Sequence, residues 1–147
     1  MIAVAAQLED YSEAIDTIAK VIWGEARGVN SKAEQAGVAW CILNRADCRE
    51  TQEPSDVIAV ATARYQFAYS RSAPVTEELR ELAQDVVIRW LLEKQGVSDV
   101  GRVLPKEYIY FAGRNGHNWF RDKYRGGKYW GWGLPDPYVD EIVHERN

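Results

Sequence analysis

Apolar residues return at helical spacing through residue 95, and the rhythm breaks after it. Ile15, Ile18, Ala19, Ile22 and Ala26 form one such series, which predicts a first helix over about 12–26. Ser12 is its expected N-cap, and Gly28 stands where a C′ glycine would end it. Ser31 and Glu34 have capping-box spacing and predict a second helix over about 32–45. Its body, AEQAGVAWCILNR, is apolar on nearly every side, so it is expected to be the buried central helix. Pro54 and Ser55 open a short third helix through SDVIAVATA, and the loop RYQFAYSRSAP follows. Thr76 caps a long fourth helix that runs to about Gln95 and closes at Gly96, with Leu79, Leu82, Ala83, Val86 and Trp90 as its core stripe.

Beyond residue 97 the chain is rich in Gly, Pro, Asn and aromatic rings. EYIYF reads as a short strand, KYWGW as a possible second, GRNGHN as a turn-rich loop and 137–145 as a last helix. The fold class expected is mainly α, formally α+β, with a loop-rich aromatic C-terminal third.

Composition narrows the function. The 147 residues suit a single domain, 1–147, able to bury a core without disulfides or metals. No apolar run approaches ~18 residues, so no membrane span is expected. MIAVAAQLED has neither the basic start nor the apolar length of a secretory signal, and none is expected there. A net charge of −4 speaks against nucleic acid, although residues 101–130 carry about +5. Cys41, Cys48, His117 and His144 lack metal-ligand spacing, so no metal or other cofactor is expected. The two cysteines lie about 10 Å apart on a straight helix and are expected to be free. His117 reads as a turn residue or hydrogen-bond donor and His144 as a surface residue. The sequence contains no H-E-x-x-H, no G-x-S-x-G and no glycine-rich phosphate loop.

The residue that stands out is Glu25, in WGEARG. At ~100° per residue it falls about 20° from Ile18 and about 40° from Val21, at the edge of the first helix's buried arc. Burial there disfavours the charged carboxylate, and the negative end of the helix dipole acts in the same direction. A carboxyl kept protonated near neutral pH is suited to general acid catalysis of glycoside cleavage. Helix geometry leaves a second reading open, in which Glu25 pairs with Arg27, Arg45 or a backbone amide and joins two helices.

The ordered set Gly24-Glu25-Ala26-Arg27-Gly28, Gln35, Val38-Ala39, Leu43-Asn44-Arg45, Pro54, Val57-Ile58 and Gln66-Phe67 resembles the signature of the SleB-type cell wall hydrolases, the spore cortex-lytic enzyme family. The resemblance covers about residues 18–68. It implies a lysozyme-like catalytic domain with Glu25 as the catalytic acid, acting on peptidoglycan glycan strands in the manner of a lytic transglycosylase. In that chemistry a single acid/base suffices, and 1,6-anhydro-MurNAc ends result. The protein is then expected to work as a monomer at a cell wall, whether spore cortex, extracellular or phage-associated.

Two alternatives remain. A hydrolysing muramidase needs a second carboxylate, for which Asp47, Glu50 and Glu53 are the candidates. A non-catalytic carbohydrate-binding module would use the aromatic segment without cutting. Gln66 and Phe67 are expected to line the cleft, with a loop cap and a core ring as the competing reading. Tyr108 and Tyr110, two apart on a strand, would share a face and join Asn118, Trp119 and Phe120 in a sugar-stacking wall. Arg114, Arg121 and Lys123 would steer stem-peptide carboxylates toward it. Core filling is the competing reading for each ring, and Arg45 is expected to serve structure.

Overall fold

The computed structural model describes residues 4–63 and 67–139. Among these residues the chain is an α+β arrangement of five helices and one two-stranded sheet. The helices are α1 (Val4–Asp10), α2 (Ser12–Ala26), α3 (Lys32–Ala46), α4 (Pro54–Thr62) and α5 (Glu77–Lys94); the strands are β1 (Tyr110–Arg114) and β2 (His117–Arg121). None of these helices is long and apolar enough to cross a membrane.

Helices α2 to α5 follow the periodicity of the sequence. The central helix is α3: Trp40, Ile42 and Leu43 are fully buried, and Ala36, Val38, Ala39, Cys41 and Ala46 are buried with them. Helix α2 packs on α3, α4 and α5, so the apolar stripes of all four helices meet in one core. Tyr11 and Trp90 touch edge to face there, with ring centroids 5.6 Å apart. Helix α5 is capped as expected, with the Thr76 hydroxyl accepting from the Leu79 amide at 3.2 Å.

Several details differ from the expectation. Helix α1 was not foreseen, because Val4 and Leu8 are its only anchors on the core and two apolar positions make no periodicity. Ser12 does not cap α2; Tyr11 holds that place, and the Ser12 hydroxyl instead accepts from Arg80 Nη2 at 3.4 Å. Gly28 does not end α2 as a left-handed cap. The helix stops at Ala26 with Arg27 still in the right-handed region, since other groups take its last carbonyls. Only half of the capping box on α3 forms: the Ser31 hydroxyl accepts from the Glu34 amide at 3.2 Å, while the Glu34 carboxylate is engaged elsewhere. Cys41 and Cys48 are free thiols.

The sheet is placed differently as well. Asn115 and Gly116, at φ of 54° and 76°, make the two-residue turn of a hairpin, a geometry that follows the right-handed twist of its strands. Strand β1 therefore keeps only Tyr110 and Phe111 of EYIYF and runs on to Arg114, and β2 is HNWFR rather than KYWGW. KYWGW contributes one isolated bridge, Arg121 to Tyr129, and a Trp130 amide bonded to the Phe120 carbonyl at 2.8 Å. Phe120 seats the hairpin on α3. A Cβ at Gly37 would lie 3.1 Å from its ring, so the absence of a side chain at 37 lets the ring approach the helix. Burying that ring contributes ~2 kcal/mol. Gln66, His144 and most of the expected last helix over 137–145 lie outside the described residues.

Candidate active site around Glu25

Glu25 projects from the last turn of α2 and is half-buried. Its Oε1 accepts the Ala68 amide at 2.6 Å, across 43 residues of sequence. Burial raises the Glu25 pKa above the usual carboxylate range, and the Ala68 bond opposes the rise. The bond also distinguishes the two oxygens. Oε1 must remain an acceptor to meet the amide, so in the neutral acid the proton belongs on Oε2. An acid held by one oxygen and free at the other is oriented for proton transfer.

Gly24 makes that contact possible. A Cβ at position 24 would run into the Ala68 carbonyl oxygen and crowd its Cβ, so only glycine lets the 67–69 segment lie against α2.

Three of the carbonyls at the end of α2 are taken up by side chains. Arg27 Nη1 donates to Trp23 O at 3.0 Å, Asn118 Nδ2 to Glu25 O at 3.3 Å and Gln35 Nε2 to Ala26 O at 3.0 Å. Asn118 thereby ties the hairpin to the catalytic candidate through its backbone. The Asn118 amide in turn donates to Glu34 Oε2 at 3.1 Å, and Glu34 Oε1 lies 3.0 Å from His117 Nδ1. Glu34, 7% exposed, is therefore a buried latch between the start of α3 and β2.

The residues expected to bind substrate separate into buried and open ones. Phe120 is 1% exposed and lies against Phe111, Trp132 and α3, so it is core and offers no face to a sugar. Tyr108 precedes β1 and is packed on Trp130 with centroids 5.3 Å apart; it shares no strand face with Tyr110. Asn118 is buried and positions Glu25 rather than facing solvent. Phe67 is largely buried against Phe111, and the Arg45 guanidinium lies over its ring. Tyr110 is half-buried between that guanidinium and Tyr124. Trp119 is open, 40% exposed, and meets Tyr129 edge to face.

The open wall thus keeps Trp119 and adds two rings not singled out from the sequence. Trp119, Trp130 and Trp132 line a cavity of about 650 Å³ whose polar side carries Glu34, His117 and Asn118. Alternation along one strand cannot reveal this wall, because it is built from β2 and the returning segment after it. Glu34 was legible only as a cap, and Ala68 contributes a backbone amide, which no residue type announces.

Two of the three carboxylates of the 47–53 loop are committed elsewhere. Asp47 accepts from Lys94 Nζ at 2.8 Å and from Trp90 Nε1 at 3.1 Å. Glu53 is the N-cap residue of α4, and its amide donates to Asp56. Glu50 is exposed and makes no hydrogen bond or ion pair among the described residues. Arg45 stacks on rings rather than bonding Glu25.

Comparisons with family models, curated proteins and solved structures find no match to the chain.

Proposed function

We propose that the protein is a peptidoglycan-cleaving glycosidase of lysozyme-like fold, related to the SleB-type cell wall hydrolases that WGEARG and its downstream motifs resemble. Glu25 serves as its general acid and base. The observation that carries the reading is the Glu25 carboxyl itself: half-buried, raised in pKa by desolvation, and fixed through Oε1 by the Ala68 amide. The open tryptophan wall beside the hairpin supports a saccharide ligand, since aromatic faces pack against the apolar faces of sugar rings.

Lytic transglycosylation fits the site better than hydrolysis. Hydrolysis with two carboxylates needs a partner across the bond. The loop that was to supply one uses Asp47 for Lys94 and Trp90 and Glu53 for α4, and Glu50 is exposed to solvent. With a single acid, Oε2 protonates the glycosidic oxygen as the bond from C1 to that oxygen breaks. The muramyl 6-hydroxyl then closes on C1 and gives its proton back to the Glu25 carboxylate. Glu25 ends neutral, and the strand ends in 1,6-anhydro-MurNAc.

The test is Glu25→Gln. Glutamine keeps an acceptor for the Ala68 amide, so the variant folds, and its wall-clearing rate falls by at least ~10²-fold. Mass spectrometry of the wild-type digest shows anhydro-muropeptides. Reducing ends alone would move the reading to a muramidase. Wild-type glycan binding without any new chain end would move it to a binding module.

A further inference from the structure

The segment that holds Glu25 also borders a second feature. Phe67, the neighbour of Ala68, lies under the Arg45 guanidinium at 5.4 Å from ring centroid to Cζ, and Tyr110 lies 5.3 Å from the same Cζ. Stacking occupies the faces of the guanidinium and leaves its in-plane N–H donors for another partner. Among the described residues Arg45 makes no hydrogen bond or ion pair, and besides these rings it acts electrostatically on the buried Cys41 thiol.

Arg45 and Arg49 both open onto a cavity of about 440 Å³, walled also by Cys48, Val60, Ile109 and Tyr110. Among the described residues no acidic side chain lines it. Arg49 acts electrostatically on Asp56, whose Oδ2 is already used by the Thr51 hydroxyl and the Glu53 amide. In a chain with more acids than bases, two guanidinium groups converge here with no acid on the wall among the described residues. The cations of the hairpin are differently employed. Arg121 Nη2 donates to Tyr124 O at 2.8 Å, and Arg114 lies over Trp119.

We propose that this cavity is an anion subsite that takes a carboxylate of the stem peptide on the glycan strand, with Arg45 and Arg49 as its ligands. The inference rests on the peptidoglycan reading of the Glu25 site and deepens it. The stem peptide hangs from the muramyl residue whose bond Glu25 cuts, so acid and carboxylate arrive at the protein on one sugar. The 67–68 segment links the two sites, since Phe67 lies against Arg45 while Ala68 holds Glu25. Guanidinium and carboxylate match as a two-pronged pair, which fixes orientation as well as affinity.

The experiment is calorimetric titration of the intact wild-type chain with the tripeptide Ala-γ-D-Glu-Lys. The same peptide with both carboxylates amidated serves as the control. The acid form binds and the amide form does not; Arg49→Gln weakens binding about tenfold, and Arg45→Lys weakens it similarly. Arg49 is exposed, so its variant keeps the wild-type thermal midpoint. In parallel, cleavage rates are compared on stem-bearing strands and on strands stripped by an amidase. The wild type prefers the former, and Arg49→Gln loses that preference. Equal binding of acid and amide forms, no binding of either, or binding indifferent to Arg49 overturns the subsite. Glycan cleavage with any of those results leaves the Glu25 reading standing. Arg49-dependent peptide binding without cleavage of either strand upholds the subsite and removes the glycosidase.

Discussion

Gly24 accounts for a glycine inside a helical turn, where it costs about 1 kcal/mol relative to alanine. The cost is offset because Ala68 lies directly on it, and that residue's amide orients Glu25. Gly24→Ala must push the 67–69 segment away. We expect a stability loss of ~2 kcal/mol by chemical denaturation and a fall in activity larger than that loss explains, because the Ala68 bond breaks first. Glu25 itself gives a prediction with a definite sign. Its folded pKa is raised, so the folded state holds a proton that the unfolded state releases sooner. That contribution to stability is present below the ordinary carboxylate pKa and is lost as pH rises through the raised one. Glu25→Gln is therefore more stable than wild type at neutral pH, and the gain shrinks on acidification; thermal midpoints at several pH values measure it. The same residues mark how far sequence reading reaches. The edge position of Glu25 follows from its angle on α2 alone. Its partner could not be read, because an amide 43 residues away belongs to no motif.

At the scale of elements, the ends of helices decide what the carboxylates do. Asp47, the residue that caps α3, spans to α5 through Lys94 and Trp90. Asp47→Asn removes a half-exposed ion pair and costs ~1 kcal/mol in stability, while wall cleavage stays within about twofold of wild type. A loss of activity comparable to that of Glu25→Gln would return the second carboxylate to the mechanism. The hairpin teaches the opposite lesson about legibility. Asn115-Gly116 is a strong local hairpin signal, and its true strands are the residues on either side of it. Aromatic density in EYIYF and KYWGW pulled the expectation outward. Turn chemistry outweighed ring content, because a two-residue turn fixes register while rings pack in strands and loops alike.

For the molecule as a whole, the candidate site is assembled where the helical body meets the hairpin. Glu34 is the latch between them, receiving the Asn118 amide at 3.1 Å and facing His117 Nδ1 at 3.0 Å. Glu34→Ala leaves that buried amide without a partner and costs about 2–3 kcal/mol. Hydrogen exchange should quicken in 110–121 while the centre of α3 stays protected. Glycan affinity should weaken with it, since the tryptophan wall rides on the hairpin. The sequence by itself determined four of the five described helices, the buried centre of α3 and the exposure of Glu25 at the edge of a core. Each depends on residues three or four apart, and short-range spacing is written directly in the chain. The tertiary structure decided which amide holds Glu25, where Asp47 and Glu34 spend their charge, and which rings stay open. Those outcomes depend on contacts spanning 43 to 93 residues, whose partners are chosen by packing and not by any local pattern.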